Sequence, residues 1–212
     1  MVSALHELAH RMFARWFEEK LLLMGIREEL EATGELTCQV PGGGGQPDSS
    51  YKPWPLRALD DDWPTLIIEA GVSQKIADLQ EDAIWWLESS REAVSTVILI
   101  FASRPEKQLL LQKWEMAEIP NPQRTRGRPW VVEDIVPMSI EDMEIIGGVI
   151  TGDEAKKKIT IDFKKTLLRD PERLNGESDC VFTCEDLRDI ARRLWRNTLP
   201  SGGQNGRAGV DL

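Results

Sequence analysis

Two sets of residues have the types and spacing to do chemistry. The first is His6-Glu7-Leu8-Ala9-His10, an H-E-x-x-H pattern. On a helix, histidines at i and i+4 point the same way and can hold zinc, while the glutamate between them serves as base to a metal-bound water. A catalytic zinc needs a third protein ligand. The extended pattern with a downstream third histidine fails at Phe13, which leaves Glu28 or Glu29 as alternatives. Projected at about 100° per residue, His6 and His10 fall among Phe13, Phe17 and Met24, inside the apolar arc of their own helix. They are expected to be packed or rim histidines, and a zinc metallopeptidase ranks third among the readings below.

The second set is Asp48, which follows Pro47, and Glu69, near the end of the apolar run Pro64-Thr65-Leu66-Ile67-Ile68-Glu69-Ala70. Carboxylates from neighbouring strand ends can hold Mg²⁺ or Mn²⁺ through hard oxygen ligands. Such an ion activates water and neutralises charge on a phosphodiester. Asp48 also has a structural explanation, because aspartate after proline forms turns. Glu69 is harder to explain that way, since a glutamate closing an apolar strand costs burial energy unless it is paired or metal-bound. Asp60-Asp61-Asp62 reads as an exposed acidic loop. Cys180 and Cys184 lack a second pair and Cys38 is remote, so a zinc knuckle is not expected.

The elements that must position these residues follow from periodicity. Residues 3–33 read as a helix with a break at Gly25 and a cap at Gly34. A strand is expected over 35–40, then a flexible loop through Pro41 and Gly42 to Gly45, and a short strand over 47–52. The run 64–70 reads as a buried strand ended by Gly71. A helix spans 74–90, with Leu79, Ala83, Trp86 and Leu87 on one face, and a buried strand spans 94–101. Strand, helix and strand in that order make a parallel crossover, hence an α/β core. A hairpin partner follows at 108–116. Residues 120–155 read as loops with one or two strands, 159–163 as a strand, 170–183 as a loop, and 185–196 as a helix capped by Thr183 or Cys184.

The chain has 212 residues and a formal net charge of −10. Residues 1–90 hold seven Lys/Arg against sixteen Asp/Glu, a balance of −9, while residues 91–212 come to −1. Proteins that simply hold nucleic acid present a basic face, so charge gives no support to a nucleic-acid partner. The basic clusters, Arg124-Thr125-Arg126-Gly127-Arg128, Lys156-Lys157-Lys158, Lys164-Lys165 and Arg192-Arg193 with Arg196, read by default as solvated. No apolar run is long enough to span a membrane. Three cysteines and no leader pattern point to an intracellular protein, without choosing between cytoplasm and nucleus.

The order of helix, strand, Pro47-Asp48, Glu69-Ala70-Gly71, helix and strand resembles the PD-(D/E)XK nuclease superfamily, and more closely the restriction-endonuclease-like domains common in fungal genomes. The matching stretches are Pro47-Asp48-Ser49-Ser50-Tyr51-Lys52-Pro53, Trp63 to Ser73 and Leu79 to Leu87, extended by 94–101 and Lys113-Trp114-Glu115. They cover residues 1–118, and Cys180-Val181-Phe182 and Asp186-Leu187 follow more loosely. The resemblance implies that Asp48 and Glu69 bind the metal, with the Ala70 carbonyl as a further ligand. It departs at Gly71, where the family carries a lysine that orients the attacking water or stabilises developing charge. Lys75, Gln74 and Lys52 are the available substitutes. Lys75 ranks first because it can project near the carboxyl end of strand 64–70.

Residues 1–200 are therefore expected to form one restriction-endonuclease-like α/β domain, a mixed sheet flanked by the N-terminal, 74–90 and C-terminal helices. Residues 201–212 read as a disordered tail. The leading function is a metal-dependent phosphodiesterase on nucleic acid, in which Asp48 and Glu69 bind Mg²⁺ or Mn²⁺ and Lys75 assists. The alternative is a catalytically inactive interaction or scaffold module of the same fold. A protein partner and the oligomeric state stay open.

Overall fold

The computed structural model describes residues 4–34, 37–40, 43–72, 74–121 and 132–196, with 121, 132 and 133 described by their backbone alone. Positions 35–36, 41–42, Ser73, the Arg124–Arg128 cluster, Trp130 and the 201–212 tail lie outside the described residues. Helix α1 is Ala4–Leu23, with Leu5, Ala9, Phe13, Phe17 and Leu21 buried along one face. It ends ten residues earlier than its periodicity predicts. Gly25 adopts φ +75° and the Ile26 N–H returns to the Leu21 carbonyl at 3.1 Å, which closes the helix. A single turn at 27–29 leads into β1, Leu30–Ala32, so Gly34 sits in the loop after a strand and caps no helix.

Strands β2 (Cys38–Val40) and β3 (Gly43–Gly45) form an antiparallel ribbon, so the glycine run read as a flexible loop is in part a strand. At Gly45 the absence of a side chain follows from what it lies against: a Cβ there would stand 2.8 Å from the rings of both Trp85 and Trp86.

The main sheet is built from β4 (Ser49–Pro53), β5 (Leu66–Val72), β6 (Thr96–Ser103), β7 (Gln108–Asn121), β8 (Val132–Ile146) and β9 (Val149–Ile150), together with β1. Its seven strands run in the order β1-β4-β5-β6-β7-β8-β9. β5 and β6 are parallel and connected by α2 (Ile76–Ser89), while the other pairings are antiparallel. Gly71 does not end the strand as expected. It lies within β5 opposite Phe101. β8, fifteen residues long, occupies a stretch read mainly as loops. Its apolar Ile135, Met138 and Ile140 face solvent while Met143 and Ile145 reach the core, so burial did not print an alternation on the sequence.

Beyond β9, β10 (Lys158–Ile161) pairs antiparallel with β11 (Cys180–Thr183), which falls inside the expected 170–183 loop. Between them lies the short helix α3 (Phe163–Leu167), and after them α4 (Cys184–Leu194). Thr183 caps α4 in a reciprocal capping box with Asp186. One apolar layer joins α1, α4 and the β10–β11 pair to the sheet, with Phe13 stacked on Phe182 at 4.4 Å between ring centroids. The opposite layer joins α2 to Ile67, Val97, Leu99 and Trp114. This is the mixed α/β sheet flanked by the N-terminal helix, α2 and the C-terminal helix that the sequence leads one to expect. Among the described residues no helix is long and apolar enough to cross a membrane.

Candidate metal centre

Antiparallel pairing sets Ser49 opposite Ile68, so Asp48 enters β4 alongside Glu69 and Ala70 of β5. The Ala70 N–H donates to Asp48 Oδ2 at 2.8 Å, and Trp86 Nε1 of α2 donates to Glu69 Oε1 at 2.7 Å. Burial and then the Asp48 charge push the Glu69 carboxyl well above the usual carboxylate range, with the Trp86 bond acting in the opposite sense. Asp82, on α2, is also raised, first by burial and then by Glu81 and Asp48. Among the described residues, neither Asp48 nor Glu69 has an ion pair with a lysine or arginine. Two carboxylates held by donors on their flanks, with no lysine or arginine ion-paired to them among the described residues, fit a hard divalent cation.

The histidines of α1 reach the same place. His6 Nε2 lies 3.2 Å from Asp48 Oδ2, and His10 Nδ1 lies 2.9 Å from Ser49 Oγ. One ligand atom from each of His6, His10 and Asp48 falls within 4.8 Å of the others. Burial holds the His10 imidazole below its usual pKa, against the upward pull of Asp48 and Glu7. A cavity of about 350 Å³ opens beside this group, bordered by Gln46, Pro47 and Glu7. Glu7 stands 3.6 Å from His10 Nε2 and bonds Arg11 at 2.5 Å, a contact that keeps its carboxyl below the usual range.

The expectation of a packed and a rim histidine fits their burial but misses their meeting with Asp48. Glu29, one suggested third ligand, is committed to Arg169 at 2.8 Å. Both Glu28 and Glu29 follow the far end of α1, about 30 Å from its start for a 20-residue helix.

Gly71 is overlain by the Gln74 side chain. A Cβ on Gly71 would meet Gln74 Nε2 at 3.0 Å and Leu79 Cδ2 at 3.1 Å, so the Gln74 amide lies over the backbone from which the missing lysine would project. Lys75 is exposed at the start of α2, and among the described residues no hydrogen bond or ion pair joins it to Asp48 or Glu69. Lys52 is buried and committed elsewhere: its Nζ donates to the Leu59 carbonyl at 2.8 Å and lies 3.7 Å from Glu31. Asp60 and Asp61 are exposed, and Asp62 accepts the Leu59 N–H at 2.9 Å, as an acidic loop would. The three cysteines are free and buried. Trp86 was legible only as a core residue, and nothing in the sequence marked its indole as the donor to Glu69.

No protein-family model matches the sequence, and no curated protein matches it. Among solved structures, the fold is similar to that of a protein from Anabaena variabilis described as a candidate nuclease belonging to DUF820. The TM-score is 0.45 at 11% sequence identity, over 90% of this chain and 84% of that one.

Proposed function

We propose that the protein is a metal-dependent phosphodiesterase acting on nucleic acid, with Asp48 and Glu69 holding Mg²⁺ or Mn²⁺. The observation that carries this reading is the pairing of the two carboxylates on neighbouring strands, each held by a donor, with no lysine or arginine ion-paired to either among the described residues. A bound divalent ion supplies an activated water and positive charge for the phosphodiester. The chain's own groups do the rest. The Ala70 N–H and the Trp86 indole fix the two carboxylates. The Gln74 amide can orient water but brings no charge. Lys75, at the exposed start of α2, assists by contacting the substrate phosphate.

A second reading, an inactive binding module of the same fold, is favoured by one feature: a neutral amide stands over Gly71 where a lysine would project. Titration of metal-stripped protein with Mn²⁺ by calorimetry, beside Asp48→Ala and Glu69→Ala, and followed by cleavage assays on DNA and RNA, separates the two. Saturable binding and metal-dependent cleavage, both lost in the two variants, are expected. Turnover should fall about tenfold in Lys75→Ala. Binding without cleavage selects the module, and absence of Mn²⁺ binding removes the enzyme reading.

A further inference from the structure

We infer that His6, His10 and Asp48 form a zinc-class transition-metal site that adjoins the Asp48–Glu69 pair and shares Asp48 with it. The inference rests on the metal reading above only in using Asp48, and its own support is geometric. His6 and His10 are one helical turn apart on α1, with ring centroids 5.6 Å apart, and the three ligand atoms lie within 4.8 Å of one another. Ligands on one zinc ion stand about 2.0–2.2 Å from it. His6 Nε2 and Asp48 Oδ2, at 3.2 Å, already have the separation that such an ion requires. His10 needs a torsional adjustment of about an ångström to join them.

The second observation concerns His10 itself. Ser49 Oγ engages its Nδ1 at 2.9 Å, and its Nε2 stands 3.6 Å from Glu7, so Nε2 is the nitrogen not engaged by the serine. A hydrogen bond on the distal ring nitrogen is how metal-binding histidines are oriented and their tautomer fixed. Ser49 is the residue directly after Asp48, so β4 delivers the carboxylate ligand and the group that aims an imidazole ligand in consecutive positions. The cavity of about 350 Å³ beside the group leaves room for water or substrate at the remaining coordination positions.

The donor set also selects the ion. Two imidazoles and one carboxylate suit zinc, cobalt or nickel, whereas magnesium takes oxygen ligands and keeps its waters. The H-E-x-x-H pattern is thus a chelating pair after all. Its third ligand is Asp48, brought from 38 positions beyond His10 by β4 rather than by α1 or the turn after it.

The test is calorimetric titration of the metal-stripped full chain with Zn²⁺ and with Mg²⁺, and Co²⁺ absorption spectroscopy to report nitrogen ligation. It compares the wild type with His6→Ala, His10→Gln, Ser49→Ala and Glu69→Gln. One Zn²⁺ per chain is expected, bound at least a thousandfold more tightly than Mg²⁺. His6→Ala and His10→Gln should each weaken Zn²⁺ about a hundredfold and shift the Co²⁺ bands, and Ser49→Ala about tenfold, while Glu69→Gln changes little. His6 lies on the rim, so its variant keeps the test decisive if His10→Gln melts. Unchanged Zn²⁺ affinity in His6→Ala overturns the inference. If Mn²⁺ binding is also lost in Glu69→Gln, that outcome leaves the phosphodiesterase reading standing. Histidine-dependent Zn²⁺ binding without Mn²⁺ binding or nucleic-acid cleavage does the reverse.

Discussion

The molecule handles clustered carboxylates in two opposite ways. On one side, Arg169 sits between Glu29 and Glu177. It donates to Glu29 at 2.8 and 2.9 Å and to Glu177 at 2.6 and 2.9 Å, with its guanidinium over the Phe163 ring. Glu115, also buried, is matched in the same manner by Lys113 at 3.0 Å and by Lys165. At the candidate metal centre, Asp48 and Glu69 lie side by side, held by neutral donors and met by the His6 imidazole, with no lysine or arginine ion-paired to either among the described residues. A carboxylate pair that serves the fold brings its own arginine. The pair at β4 and β5 brings no arginine or lysine, so bringing the two carboxyls together is costly for folding unless a proton or a cation is shared there.

If that contrast is right, the two regions answer mutation and pH with opposite signs. The largest effect is expected at the clamp. Arg169→Ala should destabilise the protein by about 2 kcal/mol, less than a fully buried pair because the guanidinium is partly exposed. That corresponds to a melting temperature lower by about 4–8 °C for a domain of this size. A shift under about 1 °C in a thermal melt would break the comparison from this side.

Glu69→Gln should do the reverse in metal-free protein, raising stability by about 1 kcal/mol because it removes one of two like charges and keeps an acceptor for Trp86. Thermal melts in chelator check this, and a destabilised variant would mean that the pair is part of the fold.

The finest test is the pH dependence. The Glu177 carboxyl is held below its usual range, first by Arg169 and then by the Glu172 N–H. Its contribution is present above the unfolded pKa and is lost as pH falls through the folded one. Glu69 is raised, so its contribution is full below the unfolded pKa and is lost as pH rises through the folded value. Melts between about pH 4 and pH 8 should therefore show the deficit of Glu177→Gln shrinking in acid and the advantage of Glu69→Gln growing towards neutrality. Parallel trends would refute the assignment of opposite roles.

What the sequence disclosed depended on whether burial imposed a pattern. α1, β5, α2 and β6 have apolar faces at the correct period and were legible, whereas Glu69, read as closing its strand, lies in the middle of β5 because the strand runs on through Gly71 to Val72. β8 was not, because its apolar residues are divided between solvent and core, and neither was β3, whose glycines answer to two tryptophans. Gly71 read as a strand end because local propensity cannot register the Gln74 side chain packed over it. The histidines were the instructive miss. Their place on the apolar arc of α1 suggested packing alone, yet that arc faces the sheet, and one end of the sheet is where Asp48 stands. The contact spans more than thirty positions, and no periodicity within a single element reports it.

Every residue of the centre, His6, His10, Asp48, Glu69, Gln74 and Trp86, precedes position 90. The supports of α1 come last in the chain: Phe182 stacks on Phe13, Asp186 faces Lys20 at 3.5 Å, and Arg193 lies over Trp16. A chain growing from its N-terminus therefore acquires all its proposed ligands early and the scaffold that aims two of them late. During synthesis the imidazoles would emerge on an amphipathic helix whose second apolar partner does not yet exist. On the proposed reading, metal capture would follow the docking of α4 on α1 and be timed by that helix rather than by the ligands themselves.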